Sequence, residues 1–275
     1  MFARLNTLLP RRPRLTILTG AGCSTGSGIP DYRDSNGEWK RTPPVHLPEF
    51  LSDPLAAKRY WARSMAGWRS FNQAQPNPVH TALAEFEACG ISHHLITQNV
   101  DGLHQRAGSS RVVDLHGRLD TVICLNCGAR VLRQTLQLEL EALNPDWTYQ
   151  IDQIAPDGDV DLSHVDYPNF HIAKCHGCDG VLKPDVVFFG ENVPRARVEF
   201  ALARVAEADA LLVAGSSLMV YSGFRFARAA AAAGKAIIII NHGRTRADNL
   251  ATVKVEADLA QTLATLRAWL DARRQ

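Results

Sequence analysis

What the chain has little of narrows the field first. No apolar run approaches the roughly 20 residues that a membrane-spanning helix needs; Ala236 to Ile240 is only strand-sized. Charge of one sign is not in excess, since 30 Lys and Arg stand against 28 Asp and Glu, a net +2. That balance is too mild to imply nucleic acid or a membrane surface by itself. Acidic residues are missing before the first strand, where Arg4, Arg11, Arg12 and Arg14 lie. The segment is very short and serine-poor for a mitochondrial presequence, so a basic N-terminal arm is expected. No secretory signal is visible. A cytoplasmic protein of bacterial type is therefore expected, with the mitochondrial matrix as the alternative. The rest is ordinary: 275 residues, 46% hydrophobic and 21% charged, enough for a soluble domain with a large core and an insertion.

The chain is organised around Leu15 to Arg33. Leu15, Ile17 and Leu18, with Thr16 and Thr19, suit a buried strand. Gly20, Ala21 and Gly22 follow at once. A strand running into glycines lets backbone N–H groups approach a phosphate, and a following helix N-terminus adds a favourable dipole. The standard dinucleotide fingerprint is nevertheless absent. Gly20, Gly22 and Gly26 are spaced G-x-G-x-x-x-G, one residue too long, which disfavours a dehydrogenase. Glycines alone fit a ligand-free turn equally well. Ser24 and Ser27 then offer hydroxyls, and Gly28-Ile29-Pro30 breaks any helix. Asp31, Tyr32 and Arg33 add opposite charges and a phenol. A loop closing over a polyanionic ligand needs that mixture.

Four of the six cysteines fall in two C-x-x-C pairs, Cys124 with Cys127 and Cys175 with Cys178. A thiolate pair at this spacing can point both sulfurs at one ion from a tight turn, and Gly128 and Gly180 permit such turns. Two knuckles complete a tetrahedral zinc site. Disulfides and a redox pair are the competing readings; the likeness of the knuckles and the missing secretion signal favour zinc. The gap between the pairs is longer than in a minimal zinc ribbon, so the ribbon carries an insertion. His164, His171 and His176 lie near the second pair, yet four thiolates already fill a site. A closed set of four leaves no open position, so this metal is expected to hold structure.

Taken in order, the segment from Arg33 to Pro48, with Pro43-Pro44, reads as an irregular loop. Pro54 to Phe71 is helix-like, with Tyr60, Trp61, Trp68 and Phe71 packing a small module. Gln75-Pro76-Asn77-Pro78 is a break. Thr81 to Ala88 reads as a helix and His93 to Thr97 as a strand, with Gln98, Asn99, Val100 and Asp101 at its end. Val112 to Leu115 is another strand, ending at His116-Gly117. A histidine there is placed as a general base, although a lone histidine is more often structural. Leu132 to Leu143 is helix-like, and Asp157, Asp159 and Asp161 read as a solvated loop rather than a calcium loop. Lys183-Pro184-Asp185 leads into an apolar strand from Val186 to Phe189. The last third alternates: helix Val193 to Ala208, strand Ala210 to Ala214, helix Gly223 to Ala233, strand Ala236 to Ile240, helix Leu259 to Ala272. That alternation means a parallel sheet with right-handed crossovers. Gly20, Gln98, His116, Gly215 and Asn241 stand at strand ends and converge on one edge, which suits a dinucleotide-sized cleft. The expected fold is α/β: a Rossmann-like doubly wound parallel sheet, about 1–34, 81–119 and 182–275, with an inserted small zinc-ribbon and helical module, about 35–80 and 120–181.

The motifs together resemble the sirtuins, NAD-dependent protein-lysine deacylases. They are Gly20-Ala21-Gly22-x-Ser24-x-x-Ser27-Gly28-Ile29-Pro30-Asp31-Tyr32-Arg33, Thr97 to His104, Leu115-His116-Gly117, the paired knuckles, Lys183 to Glu191 and Gly215-Ser216-Ser217-Leu218, in this order. The likeness covers nearly the whole chain. Tyr60-Trp61-Ala62-Arg63, Gln75 to Pro78 and Ala155 to Val160 further resemble the class II branch, which includes the mitochondrial lipoamidase-like sirtuin. One departure is Cys23, where the family usually carries an aliphatic residue; a thiol in the loop is a candidate for oxidation.

The resemblance implies a single catalytic domain with NAD as co-substrate and one structural zinc ion on Cys124, Cys127, Cys175 and Cys178. Gly20, Ala21, Gly22, Cys23, Ser24, Thr25, Gly26, Ser27, Gly28, Ile29, Pro30, Asp31, Tyr32 and Arg33 would cover NAD. Gln98, Asn99 and Asp101, with Val100, would hold the nicotinamide ribose and carboxamide, and His116 would be the general base. Gly215, Ser216, Ser217, Asn241, His242 and Gly243 would hold the adenosine end, with a backbone contact near Leu259. Phe188, Phe189, Gly190 and Glu191 on one side and Leu218, Val220 and Tyr221 on the other would sandwich an acyl-lysine peptide as an added strand. The implied products are deacylated lysine, nicotinamide and an acyl-ADP-ribose. The alternatives are mono-ADP-ribosyl transfer and, distantly, a non-catalytic zinc-ribbon adaptor. Glu139, Glu141 and the aspartates of the insert make that last surface acidic, against nucleic acid.

Overall fold

The computed structural model describes residues 2–40, 44–154, 158, 160–163 and 165–273. The chain opens with helix α1 (Phe2–Leu8) and strand β1 (Leu15–Thr19). Helices α2 (Leu47–Ser52), α3 (Pro54–Gln73) and α4 (Pro78–Ala88) lead to β2 (Ser92–Thr97). Then come α5 (Leu103–Arg106), β3 (Val112–Asp114), β4 (Gly117–Cys124), β5 (Arg130–Leu132) and α6 (Arg133–Leu143). A hairpin of β6 (Gln150–Ile154) and β7 (Val160–Ser163) precedes β8 (Leu182–Val186). The last third is α7 (Arg195–Glu207), β9 (Ala210–Ala214), α8 (Tyr221–Ala232), β10 (Ala236–Ile240), β11 (Val253–Val255) and α9 (Leu259–Ala272).

Six strands form one parallel sheet in the order β11-β10-β9-β1-β2-β3. Strands β1 and β9 are buried at every position, as strands covered by helices on both faces must be. On one face lie α1, α4 and α9 through Leu5, Leu83, Phe86 and Leu266; on the other lie α7 and α8 through Ala201, Val205 and Phe226. From β1 the chain moves outward to β2 and β3, then returns to build β9, β10 and β11 on the other side. The connections therefore leave the adjacent strands β1 and β9 in opposite directions, and beyond the ends of such a strand pair these sheets open a crevice. The register brings Thr19 level with Thr97 and Ala214, and Ala214 level with Ile240, so four strands end on one line.

The second module is a three-stranded antiparallel sheet, β5-β4-β8, packed with α3 and α6 around Trp61, Met65, Leu136, Leu140 and Phe170. The β6–β7 hairpin lies against α3 where Gly67 leaves room: a Cβ there would sit 2.2 Å from the Gly158 carbonyl oxygen.

Some expectations are corrected. The N-terminal segment is a helix, not a bare arm: Leu5 and Leu9, four residues apart, bury themselves in the core. The strand expected at Val186 to Phe189 is instead Leu182–Val186, and it belongs to the small module. Pro184 is tolerated because β8 is an edge strand. Helix α4 begins at Pro78, three residues before the expected start, because Asn77 caps it and His80 completes a capping box. Pro43, Ala155-Pro156-Asp157, Asp159 and His164 lie outside the described residues.

Candidate active site

The two central strand ends meet glycine to glycine. Gly22 N–H donates to the Gly215 carbonyl at 2.9 Å. A Cβ at Gly22 would lie 2.9 Å from that oxygen, and one at Gly20 would lie 2.8 Å from Ser216 Oγ. The glycines therefore allow two backbones to approach each other, a reason for their spacing that needs no phosphate. Cys23 sits behind them, fully buried, its thiol donating to the Ala214 carbonyl at 3.2 Å. Burial pushes that thiol up to about 12. A thiol so shielded is inert, which corrects the expectation of an oxidation-sensitive loop.

The polar residues at the end of β2 form a connected set. Ser24 Oγ donates to Asp101 at 2.7 Å, and Asn99 Nδ2 donates to Ser24 Oγ at 3.0 Å and to the Gly20 carbonyl at 3.1 Å. Gln98 Nε2 donates to Ser216 Oγ at 2.9 Å, bridging the gap between β2 and β9. Asp101 also caps Leu103 N at 2.9 Å, opening α5. The set ties the glycine loop to the floor of the crevice.

His116 follows the end of β3. Its Nδ1 lies 2.9 Å from the Gln98 carbonyl oxygen. A carbonyl can only accept, so Nδ1 carries the proton and Nε2 carries the lone pair. Nε2 in turn accepts from Ser222 Oγ at 2.8 Å. Burial pushes this imidazole down to about 4; the Gln98 carbonyl works against that, while Arg197 and Arg225 add to it. The imidazole is thus held in its neutral form, with the Nε2 lone pair able to take a proton.

From Asp31 to Lys40 the chain crosses the crevice. Arg33 stacks over Trp39 at 4.0 Å and donates to the Gly37 carbonyl. The far rim receives the loop at Ser35, whose carbonyl accepts from Arg244 N at 2.8 Å. Gly243 makes that contact possible, since a Cβ there would lie 2.3 Å from the Ser35 oxygen. Trp39 also packs edge-on against Phe189 at 5.6 Å.

Beneath the loop is a cavity of about 670 Å³, within the usual range for a ligand site. Of the residues singled out in the sequence, Gly20, Ala21, Gly22, Ser24, Ile29, Asp31, Tyr32, Arg33, Gln98, Asn99, Val100, Asp101 and His116 line it. So do Gly215, Ser216, Ser217, Asn241 and His242. Others stand outside the lining. Gly26 and Ser27 meet Asn77, Thr25 donates back to the Gly22 carbonyl, Gly28 turns with φ +83°, and Pro30 flanks the loop. Leu259 opens α9 and packs toward the core. Sequence reasoning missed Trp39, Met219, Ser222 and Arg225 as lining residues and read Tyr60 as packing alone. Nothing local marks Ser222, which reaches His116 across 106 residues.

Two segments flank the cavity mouth, Val186 to Glu191 and Ser217 to Tyr221. Val187 N–H donates to the His116 carbonyl at 2.8 Å, so the first segment is fastened beside the imidazole. The Phe188 side chain is buried against Phe50 and Tyr60. Glu191 turns inward, accepting from Phe188 N at 2.9 Å and pairing with Lys183. Leu218 is buried at φ +55°, while Val220 and Tyr221 remain exposed.

The four knuckle cysteines are unpaired, and their sulfurs lie within 4.8 Å of one another. The contacts are 3.5 Å for Cys124 with Cys178 and 3.7 Å for Cys127 with Cys175. Tetrahedral thiolates around zinc stand roughly 3.8 Å apart, from a Zn–S length of about 2.3 Å, so the cluster fits that ion. The Cys127 N–H points at the Cys124 sulfur and, with the Asn126 N–H, outweighs partial burial and holds this thiol down to about 6. His176 pairs with Glu139 at 3.1 Å and His171 is exposed; neither joins the cluster.

A doubly wound parallel sheet with its crevice at the switch point, a neutral imidazole in that crevice and a cluster of four cysteines on its flank define a class: a dinucleotide-type enzyme fold with a second module arranged to hold a metal ion. The profile of the Sir2 family matches residues 20–222. The "NAD-dependent protein deacetylase 2" of Bradyrhizobium diazoefficiens is 55% identical over 262 residues, covering 95% of this chain and 96% of that protein. An "NAD-dependent protein deacetylase" of Xanthomonas campestris pv. campestris is 57% identical over 263 residues, covering 96% and 90%. Among solved structures, one described as "Sir2-p53 peptide-NAD+" superposes with a TM-score of 0.75 at 30% identity, covering 97% of this chain and 95% of that one. Another, "Sir2 bound to acetylated peptide", gives 0.75 at 28% identity with full coverage of both chains. The chain belongs to the Sir2 family.

Proposed function

We propose that this chain is an NAD-dependent protein-lysine deacylase. It would release nicotinamide and O-acyl-ADP-ribose from NAD and an acyl-lysine peptide, in one catalytic domain with the module boundaries given above. The observation that carries the reading is His116: a neutral imidazole with its Nε2 lone pair turned into a cavity of about 670 Å³ where the sheet diverges. Relatives at 55–57% identity are named NAD-dependent protein deacetylases, which supports the acetyl case of this reading.

NAD supplies an activated glycosidic bond, and its cleavage drives removal of the acyl group. The chain's own residues do the rest. Gly20, Ala21, Gly22, Ser24, Ile29 and Asp31 to Arg33 would line the dinucleotide, the rest of the stretch shaping that loop from behind, and the Arg33 guanidinium would offer a cation to its phosphates. Gln98, Asn99 and Asp101 would orient the ribose end; Gly215 to Ser217, with Asn241 and His242, would hold the other, while Gly243 seats the covering loop at Ser35. The loop through Ser35 and Trp39 excludes water, which suits a cation-like transition state. His116 takes a proton at Nε2 from a ribose hydroxyl, a role typically worth ~10²–10⁴ in rate. The peptide would lie as an added strand between Phe188–Glu191 and Leu218–Tyr221, segments that flank the cavity mouth.

We extend the reading to acyl groups longer than acetyl, as the class II likeness implies. Tyr60, Leu119 and Val186 give the cavity an apolar wall that would take such a chain. The test is nicotinamide release with acetyl-, lipoyl- and dicarboxyl-acyl-lysine peptides, beside His116→Ala and Asn99→Ala. Peptide-dependent release, lost in the His116 variant, is expected. Undiminished turnover without His116 overturns the assigned base, and ADP-ribose left on protein without loss of acyl groups would turn the reading to ADP-ribosyl transfer. No helix among the described residues is long and apolar enough to cross a membrane. We place the activity in a bacterial-type cytoplasm.

A further inference from the structure

His116 Nε2 has one lone pair, and in this structure Ser222 occupies it. The hydroxyl lies 2.8 Å away while Nδ1–H is held by the Gln98 carbonyl at 2.9 Å. The imidazole is thus clamped from both sides by groups on different elements, the end of β2 and the first turn of α8. A base needs that same lone pair to receive a proton. A ribose hydroxyl and the Ser222 hydroxyl cannot both donate to it.

We infer that Ser222 is a positioning residue for His116, a stand-in that holds the imidazole's acceptor nitrogen until a substrate hydroxyl displaces it. The inference rests on the deacylase reading for its meaning and on the two hydrogen bonds for its geometry. While the cleft is empty, Ser222 fixes the ring plane and keeps Nε2 unprotonated. When ribose enters, the serine hydroxyl rotates about its Cα–Cβ bond and keeps its own proton. The proton that His116 then accepts is the ribose's. The released serine oxygen remains beside the site as an acceptor or donor for the sugar. Ser222 lines the cavity, so the exchange needs no backbone movement.

The electrostatic surroundings point the same way. The charged groups acting on the ring are Arg197 from α7 and Arg225 from α8, and the N-terminal turn of α8 adds its dipole. All three oppose a positive ring, and a hydroxyl donating to Nε2 opposes it further, because it binds only the neutral form.

The experiment follows the His116 ring by NMR titration in the unloaded protein, and the acid limb of kcat/KM with an acetyl-lysine peptide. Serine is replaced by Ala, a good helix former, and by Thr, which restores the hydroxyl. In Ser222→Ala the His116 titration moves up by about 0.5–1 pH unit, a gain in proton affinity of roughly three- to tenfold, and the acid limb moves with it. Ser222→Thr stays with the parent. An unmoved titration in Ser222→Ala, or the same rise in both variants, overturns the inference. A protein that turns over no peptide at all refutes the deacylase reading instead, and the NMR titration still decides the role of Ser222.

Discussion

Lys183 and Glu191 form an ion pair at 2.9 Å, with the lysine side chain only 5% exposed, under the segment that flanks the cavity mouth. The same carboxylate accepts from Phe188 N, and the ammonium donates to the Val186 carbonyl and lies over the Phe188 ring. Breaking a buried pair by removing one partner costs about 3 kcal/mol or more. Lys183→Met is therefore expected to lower the unfolding free energy by roughly that amount in urea titration. Glu191→Gln, which keeps a carbonyl for Phe188 N, should raise KM for peptide several-fold more than KM for NAD. Equal changes in both would show that this pair does not hold the peptide segment.

The glycine contact at the centre of the sheet makes a second forecast. Gly215 has φ +59°, and a Cβ there would lie 2.7 Å from Cys23 N. Gly215→Ala combines backbone strain with a clash against main chain that cannot move aside. NAD affinity by calorimetry should fall at least tenfold, equivalent to about 1.4 kcal/mol. Gly28→Ala, in a turn at φ +83° with open space around it, should leave affinity within about twofold while backbone strain alone costs about 1–2 kcal/mol of stability. If the two variants behave alike, the contact has no special role.

Removing the metal should act locally first. A chelator, or Cys127→Ser, is expected to lower bound zinc from one equivalent toward zero and open the module between 125 and 181 to protease. The parallel sheet, with its own two cores, should hold longer. Turnover is expected to disappear in step with metal content, measured by elemental analysis on the same samples. Full activity in metal-free protein would refute a structural role.

Buried imidazoles govern the acid side. His104 is almost wholly buried, bonded to Thr19 at 3.0 Å and packed at a tilt against His80 with ring centroids 4.9 Å apart. Burial, and the cost of a second positive ring beside His80, hold it down to about 3, and burial lowers His80 as well despite Asp101. His116 is held down to about 4. These groups stay neutral in the fold but charge near pH 6.5 in the unfolded chain. The unfolded state therefore binds more protons below that point, and stability falls as pH drops. The contribution is complete above pH 6.5 and is lost progressively as pH falls toward 4 and 3, at up to about 1.4 kcal/mol per pH unit for each group. Urea unfolding between pH 8 and 5 should show this slope, and His104→Leu should flatten it while lowering stability at pH 8. An unchanged slope would show that His104 charges freely in the fold.

Much of this architecture is legible in the sequence where one physical cause dominates. Strands β1, β9 and β10 are apolar runs because helices cover both faces, and the two C-x-x-C knuckles can serve one ion wherever the chain carries them. Helix α9 begins and ends where its pattern does. The misses share a different cause, which is dependence on a distant neighbour. Pro184 reads as a loop residue until β8 is known to lie at a sheet edge. The short α1 survives because Leu5 and Leu9 find a core made by residues far along the chain. His116 stands out by its place after a strand, but its partners lie 18 and 106 residues away, so neither its tautomer nor its low proton affinity could be read locally.

One antiparallel ladder pairs Gly117 with Val186 at one end and Cys124 with Leu182 at the other. The imidazole of His116 stands just before its first rung, and the thiolate cluster closes its last. Two of those sulfurs, Cys127 and Cys178, face solvent. An electrophile attacking them would therefore act at one end of the ladder whose other end adjoins the imidazole. Of the cluster and Cys23, these two exposed sulfurs are the ones an oxidant in solution meets first, while the thiol between the central strands stays sheltered.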